Sequence, residues 1–168
     1  ESYQRFFDCG ADRYLLRHET AVKEHCEKLH PENLSFEERM RCLEDLKEIG
    51  FQVGCGFMVG SPYQKAEYLA KDLKFIEEFS PHMCGIGPFI THKDTPFKDE
   101  KNGSAELTVF LLSLIRLIKP NILLPATTAL GTLSSDGRER GVLSRANVVM
   151  PNLSPIKEKK KYMLYDNK

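Results

Sequence analysis

Arg17, His18, Glu19 and Thr20 follow one another directly, just after the apolar run Tyr14-Leu15-Leu16. Ionisable groups beside a buried strand must be paired or at work. Arg17 and Glu19 are two apart, so an extended backbone sends both to one face and His18 to the other. Such a pair suits a ligand that carries both an amine and a carboxylate. It equally suits a structural ion pair that ties strand to loop. Spacing alone leaves both open.

Polar residues collect in the same way at the ends of later apolar runs. "GFMVGSP" ends one, "GPFITH" another, Thr127 and Thr128 follow Pro125, and Met150, Pro151 and Asn152 close the last. In parallel α/β folds, reacting groups gather at the C-terminal ends of strands. Glycines in "VGCGF" and "CGIGPF" permit close backbone approach to a flat ligand, or close packing alone.

Other chemistries find less support. The five cysteines, Cys9, Cys26, Cys42, Cys55 and Cys84, show no CxxC or CxxxCxxC spacing, and their odd number argues against a disulfide framework. Free thiols in a reducing cytoplasm are the expectation. His18, His25, His30, His82 and His92 lack HxH or HExxH spacing, so solvated or capping roles are expected for them. No metal ligand is expected within the chain. Basic and acidic residues balance at 24 each, which provides no field for nucleic acid or an acidic membrane. Val109 to Ile118 is too short to span a bilayer. The run Lys157 to Lys161 reads as a solvated helix face.

The elements that must position these groups alternate. "SFEERMRCLEDLKEIG" predicts a helix capped by Ser35, with Glu38 completing a capping box, Gly50 as the stop, and Phe36, Met40, Leu43, Leu46 and Ile49 on one face. "FQVGCGFMVG" predicts a strand over 51–59. A second helix follows, with Pro62 near its start and Ala66, Leu69, Ala70, Leu73 and Ile76 along one side. "MCGIGPFI" predicts the next strand. Ser104 caps a strongly apolar helix that Pro120 ends. "NILLPATTA" predicts a strand, "DGRERGVLSR" a short helix and "ANVVMPN" a last strand. This is an α/β pattern with a parallel sheet under helices. A doubly wound sheet and part of a (β/α)8 barrel both fit, and no GxGxxG or P-loop favours the former.

"RYLLRHET", "GFQVGCGFMVGSPYQ", "GIGPFITHKDTP", "LLPATTALGT" and "ANVVMPN", in this order, resemble the second part of a hydrogenase-maturating family of radical S-adenosylmethionine (SAM) enzymes. Biotin synthase and methylornithine synthase are similar relatives. The resemblance covers nearly the whole chain. It implies a (β/α)8 TIM-type barrel, of which residues 1–168 hold about five C-terminal units, strands four to eight, in one domain. It implies SAM as cofactor, bound by Glu19 and by Arg39 through the methionine carboxylate, with Met83, Gly87, Pro88 and Phe89 by the adenosine. Arg17, Thr127, Thr128, Met150, Tyr162 and Tyr165 would face the substrate.

The implied reaction is reductive cleavage of SAM to a 5′-deoxyadenosyl radical during maturation of the hydrogenase active-site cluster. The implied partners are a small organometallic or amino-acid-derived substrate, a ferredoxin or flavodoxin as electron donor, and the other maturases, with no nucleic acid and no membrane. Two readings stand beside it: a sister enzyme of the biotin or methylornithine synthase type, and a half-barrel that catalyses nothing. The family's CxxxCxxC loop, which ligates a 4Fe–4S cluster, is absent, and residue 1 is Glu. A partial chain that does not itself cleave SAM is therefore expected. Tyr63 also stands where the family usually has a turn glycine.

Overall fold

The computed structural model describes residues 2–151 and 153–159. In chain order the elements are α1 (Ser2–Asp8), β1 (Arg13–Leu15), α2 (Lys23–Leu29), α3 (Phe36–Ile49), β2 (Gln52–Cys55), β3 (Met58–Val59), α4 (Ala66–Phe79), β4 (Met83–Cys84), β5 (Gly87–Pro88), α5 (Ala105–Ile118), β6 (Pro125–Ala126), α6 (Thr128–Leu133), α7 (Gly137–Leu143), β7 (Val148–Val149) and α8 (Ile156–Lys159). Among the described residues no helix is long and apolar enough to cross a membrane.

Every ladder is parallel. β1 pairs with β2, β2 with β4, β3 with β5, and β6 with β7. A bridge from Met83 to Leu123 links β4 to the segment that leads into β6. Neighbours thus follow chain order. A doubly wound sheet reverses its strand order at a switch point; among the described residues the paired strands show no reversal.

The predicted strand over 51–59 is two ladders, β2 and β3, interrupted at Gly56-Phe57. A Cβ on Gly56 would lie 2.0 Å from the Gly85 carbonyl oxygen, so only glycine lets these two backbones approach. β6 is also shorter than predicted, because Thr128 already begins a helix.

Side chains alternate as a two-residue period requires. Val53, Cys55, Phe57 and Val59 are buried on the helix side. They pack with Leu43, Leu46, Ile76, Leu112 and Ile115 into one core. All five cysteines are free thiols. Tyr14 and Leu16 join this side, and Leu15 faces the other way, half exposed.

α3 forms as expected. Ser35 accepts from Glu38 N at 3.2 Å, and Gly50 takes φ 109°. The Glu38 carboxylate turns to Arg41 rather than completing the capping box. α5 is capped by Ser104, which accepts from Leu107 N at 3.1 Å.

α4 departs from expectation. It starts after the Ser61–Gln64 turn, at Ala66, and Ala66 and Ala70 are exposed. Tyr68 and Asp72 occupy the inner face instead. Bulk explains this: Tyr68 covers more apolar area than either alanine.

Candidate functional site

The even-numbered residues of "RHET" go into the wall. His18 and Thr20 are fully buried, and so is His25, which corrects the solvated or capping role expected for these two histidines, whereas His82 is exposed. His25 places Nδ1 3.1 Å from Thr20 Oγ1 and Nε2 3.0 Å from the Pro62 carbonyl. Burial pushes its pKa down. His18 packs against Phe57 and Phe75, and its Nε2 lies 3.4 Å from Asp72 Oδ1. Burial opposes a charged His18 ring, yet hydrogen bonds to Asp72 and Cys55 outweigh it and raise the pKa to about 9. The Gly56 N–H donates to Nδ1 at 3.3 Å, a bond that favours the neutral ring and opposes the upward push of Asp72 and Cys55.

The odd-numbered residues go to the mouth. Arg17 donates from Nε to Glu19 Oε1 at 3.0 Å and from Nη2 to Oε2 at 3.2 Å, a bidentate fork. Its Nη1 donates to the Gly85 carbonyl at 3.0 Å. Glu19 has φ 66°, a left-handed conformation that costs a non-glycine residue about 1–3 kcal/mol. Its N–H donates to Gly56 O at 3.0 Å and its C=O accepts from Met58 N at 3.3 Å. The turn is therefore bonded to the neighbouring strand on both sides.

Arg17 and Glu19 open onto a cavity of about 370 Å³. Its other walls are Met58, the run Gly87 to Ile90, and Thr127 to Ala129. These are the ends of consecutive strands. A Cβ on Gly87 would meet Thr127 Oγ1 at 2.9 Å, so glycine keeps this wall thin. Thr127 Oγ1 is buried without a protein partner, a polar atom suited to a ligand.

Of the residues that the sequence suggests for the site, the cavity brings together Arg17, Glu19, Gly87, Pro88, Phe89, Thr127 and Thr128. Arg39 lies one hydrogen bond behind them, donating from Nη1 to the Arg17 carbonyl at 2.9 Å. Met83 shares the wall but sits four residues before Gly87, about 13 Å down a strand at ~3.3 Å per residue. Met150 follows β7 and is half exposed, outside the lining. Tyr162 and Tyr165 lie outside the described residues. Sequence reasoning missed Met58, Ile90 and Ala129 as lining residues. The strand-end rule that picked out "GFMVGSP" could have found Met58.

No protein-family model matches the chain. It is 47% identical to the FeFe-hydrogenase maturase subunit HydE of Thermotoga maritima, over all of its 168 residues and 48% of that protein. The chain is thus similar to part of HydE along its whole length. It is also 29% identical to 3-methylornithine synthase of Methanosarcina acetivorans, over 83% of its own length and 39% of the relative. The crystal structure of methylornithine synthase (PylB) superposes with a TM-score of 0.76 at 24% identity, covering 91% of this chain and 45% of that one. That likeness shows the fold. The chain thus spans about half the length, or less, of the curated relatives it matches.

Among the described residues of the HydE-like chain, no three His, Cys, Asp or Glu side chains are grouped to hold a metal ion. An iron–sulfur cluster does not fit these residues. The cavity has a charged side and an apolar side: Glu19 offers a carboxylate to a cationic group, and Phe89 with Pro88 offers an apolar wall.

Proposed function

We propose that this chain is the C-terminal part, strands four to eight, of a single (β/α)8 barrel whose mouth binds SAM. The observation that carries this is the Arg17–Glu19 fork at a cavity lined by successive strand ends. Glu19 and Arg39 hold the amino-acid end of the cofactor. Gly87, Pro88 and Phe89 lie along the adenosine, with Met83 a more distant neighbour. Thr127, Thr128 and Arg17 face the substrate.

SAM supplies the chemistry when bound: a 5′-deoxyadenosyl radical, on one-electron reduction. The chain's own residues orient it and screen it from water. A 4Fe–4S cluster would supply that electron, held by ligands outside this chain. The activity is hydrogenase maturation, which the 47% identity to HydE favours over the methylornithine synthase reading at 29%. The substrate is a small organometallic or amino-acid-derived molecule, the electron donor a ferredoxin or flavodoxin, the partners the other maturases, and the compartment the cytoplasm.

The experiment is to measure 5′-deoxyadenosine released from SAM by the natural full-length protein under a one-electron reductant. Release that depends on Glu19 and Arg39 supports the reading. Release unchanged in Glu19→Gln and Arg39→Ala contradicts it.

A further inference from the structure

Asp72 lies in the middle of α4 and is wholly buried, on a face otherwise made of Tyr68, Leu69, Leu73 and Ile76. A carboxylate there is costly to bury unless its contacts are specific. Both of its polar contacts fall on the segment that carries Glu19. Oδ1 accepts from Ala21 N at 2.5 Å and lies 3.4 Å from His18 Nε2. This oxygen bonds the Ala21 N–H and packs beside the His18 ring, whose Nε2 has no hydrogen-bond partner, so it reaches both sides of the left-handed turn at Glu19. The bonds of Glu19 to Gly56 and Met58 fix this turn to the sheet. Asp72 fixes it to the helix layer, which the sheet bonds do not reach. Oδ2 has no protein partner, so the purpose of this carboxyl lies in Oδ1.

We propose that Asp72 is a positioning residue for Glu19: by holding His18 and Ala21 it sets the strained turn that aims the Glu19 carboxylate into the cavity. The link to SAM rests on the function proposed above. The positioning itself does not. Loss of Oδ1 leaves the Ala21 N–H without its buried acceptor and the His18 ring without its charged neighbour, and a turn in a sparsely populated conformation relaxes when its supports go.

The test uses the natural full-length protein with two substitutions. Asp72→Leu keeps the volume and removes the oxygen. Asp72→Asn keeps an oxygen that can accept from both partners. Two quantities are read: hydrogen exchange of amides 17–22, and SAM affinity by calorimetry.

Asp72→Leu is expected to speed exchange in 17–22 about tenfold while α5 stays near wild type, and to weaken SAM about tenfold. Asp72→Asn is expected to stay within about threefold of wild type on both, a rescue that volume alone would not give. Unchanged exchange in 17–22, a rise spread evenly over the protein, or an Asn variant that behaves like Leu would overturn the proposal. If the Leu variant does not fold, Asp72→Ser, too short to reach Ala21, takes its place. If neither folds, Asp72 is a structural residue and the positioning role is overturned. A parallel Glu19→Gln titration separates the two ideas. If Glu19→Gln binds SAM like wild type, the cofactor reading fails, and the ligand-free exchange result still decides the role of Asp72.

Discussion

Arg17 grips Glu19 with two parallel N–H···O bonds, at 3.0 and 3.2 Å, and uses its remaining terminal nitrogen on the Gly85 carbonyl. The pair that spacing left ambiguous is both things at once. It is an ion pair, and it lines the cavity. The fork fixes the plane of the Glu19 carboxylate, which a single-point ammonium cannot do. Arg17→Lys is expected to weaken SAM binding by the full-length protein about tenfold, ~1.4 kcal/mol, with the fold intact. Isothermal calorimetry beside a circular-dichroism melt checks this; equal affinity would show that the fork is only structural.

Gly56 and Gly85 give a paired test of backbone approach. A Cβ on Gly56 meets the Gly85 carbonyl oxygen at 2.0 Å, whereas a Cβ on Gly85 has Cys55 O as its nearest neighbour, at 4.0 Å. Gly56→Ala is expected to cost about 1–3 kcal/mol or more, as the strands part. Gly85→Ala should cost under about 1 kcal/mol. Urea unfolding of the two variants checks the contrast, and similar midpoints would contradict the register of β2 against β4.

Tyr63 takes φ 63° at an exposed turn. That backbone suits glycine, in line with the family pattern that Tyr63 departs from. The left-handed strain of about 1–2 kcal/mol is partly offset by the greater freedom of glycine in the unfolded chain. Tyr63→Gly is expected to stabilise by about 0.5–1 kcal/mol. A lower melting temperature in the variant would count against the turn as described.

His18 gives a pH dependence with a definite sign. Its folded pKa, about 9, is above its ordinary 6.5. The charged ring therefore contributes stability that is complete below pH 6.5 and lost as the pH rises through about 9. Wild type should lose melting temperature between pH 7 and 10 more steeply than His18→Gln, whose amide does not titrate. Parallel slopes would show that His18 is not the group responsible.

Much of this was legible in the residues, and the failures have physical causes. The face of α3 and the caps at Ser35 and Ser104 follow from local chemistry, which the fold leaves undisturbed. α2 carried no signal: Val22 stands at its N-cap with no side-chain cap, and its seven residues are mostly charged. "PATTAL" looked like strand because β-branched threonines favour one, but Thr127 sits at the N-cap and the helix α6 follows. Arg17 and Glu19 could be placed on one face by period two. Asp72 could have been found too, since it falls between Leu69 and Ile76 on the apolar face of α4. A charged residue in such a stripe marks a buried partner, and here the partner is the site.

The central claim is that Glu19 at this strand end binds SAM. The most direct measurement is calorimetric titration of SAM into the natural full-length protein and its Glu19→Gln variant, matched for melting temperature. Saturable binding is expected in the first and a loss of about tenfold or more in the second, ~1.4 kcal/mol or above. Equal affinity in the two proteins would contradict it.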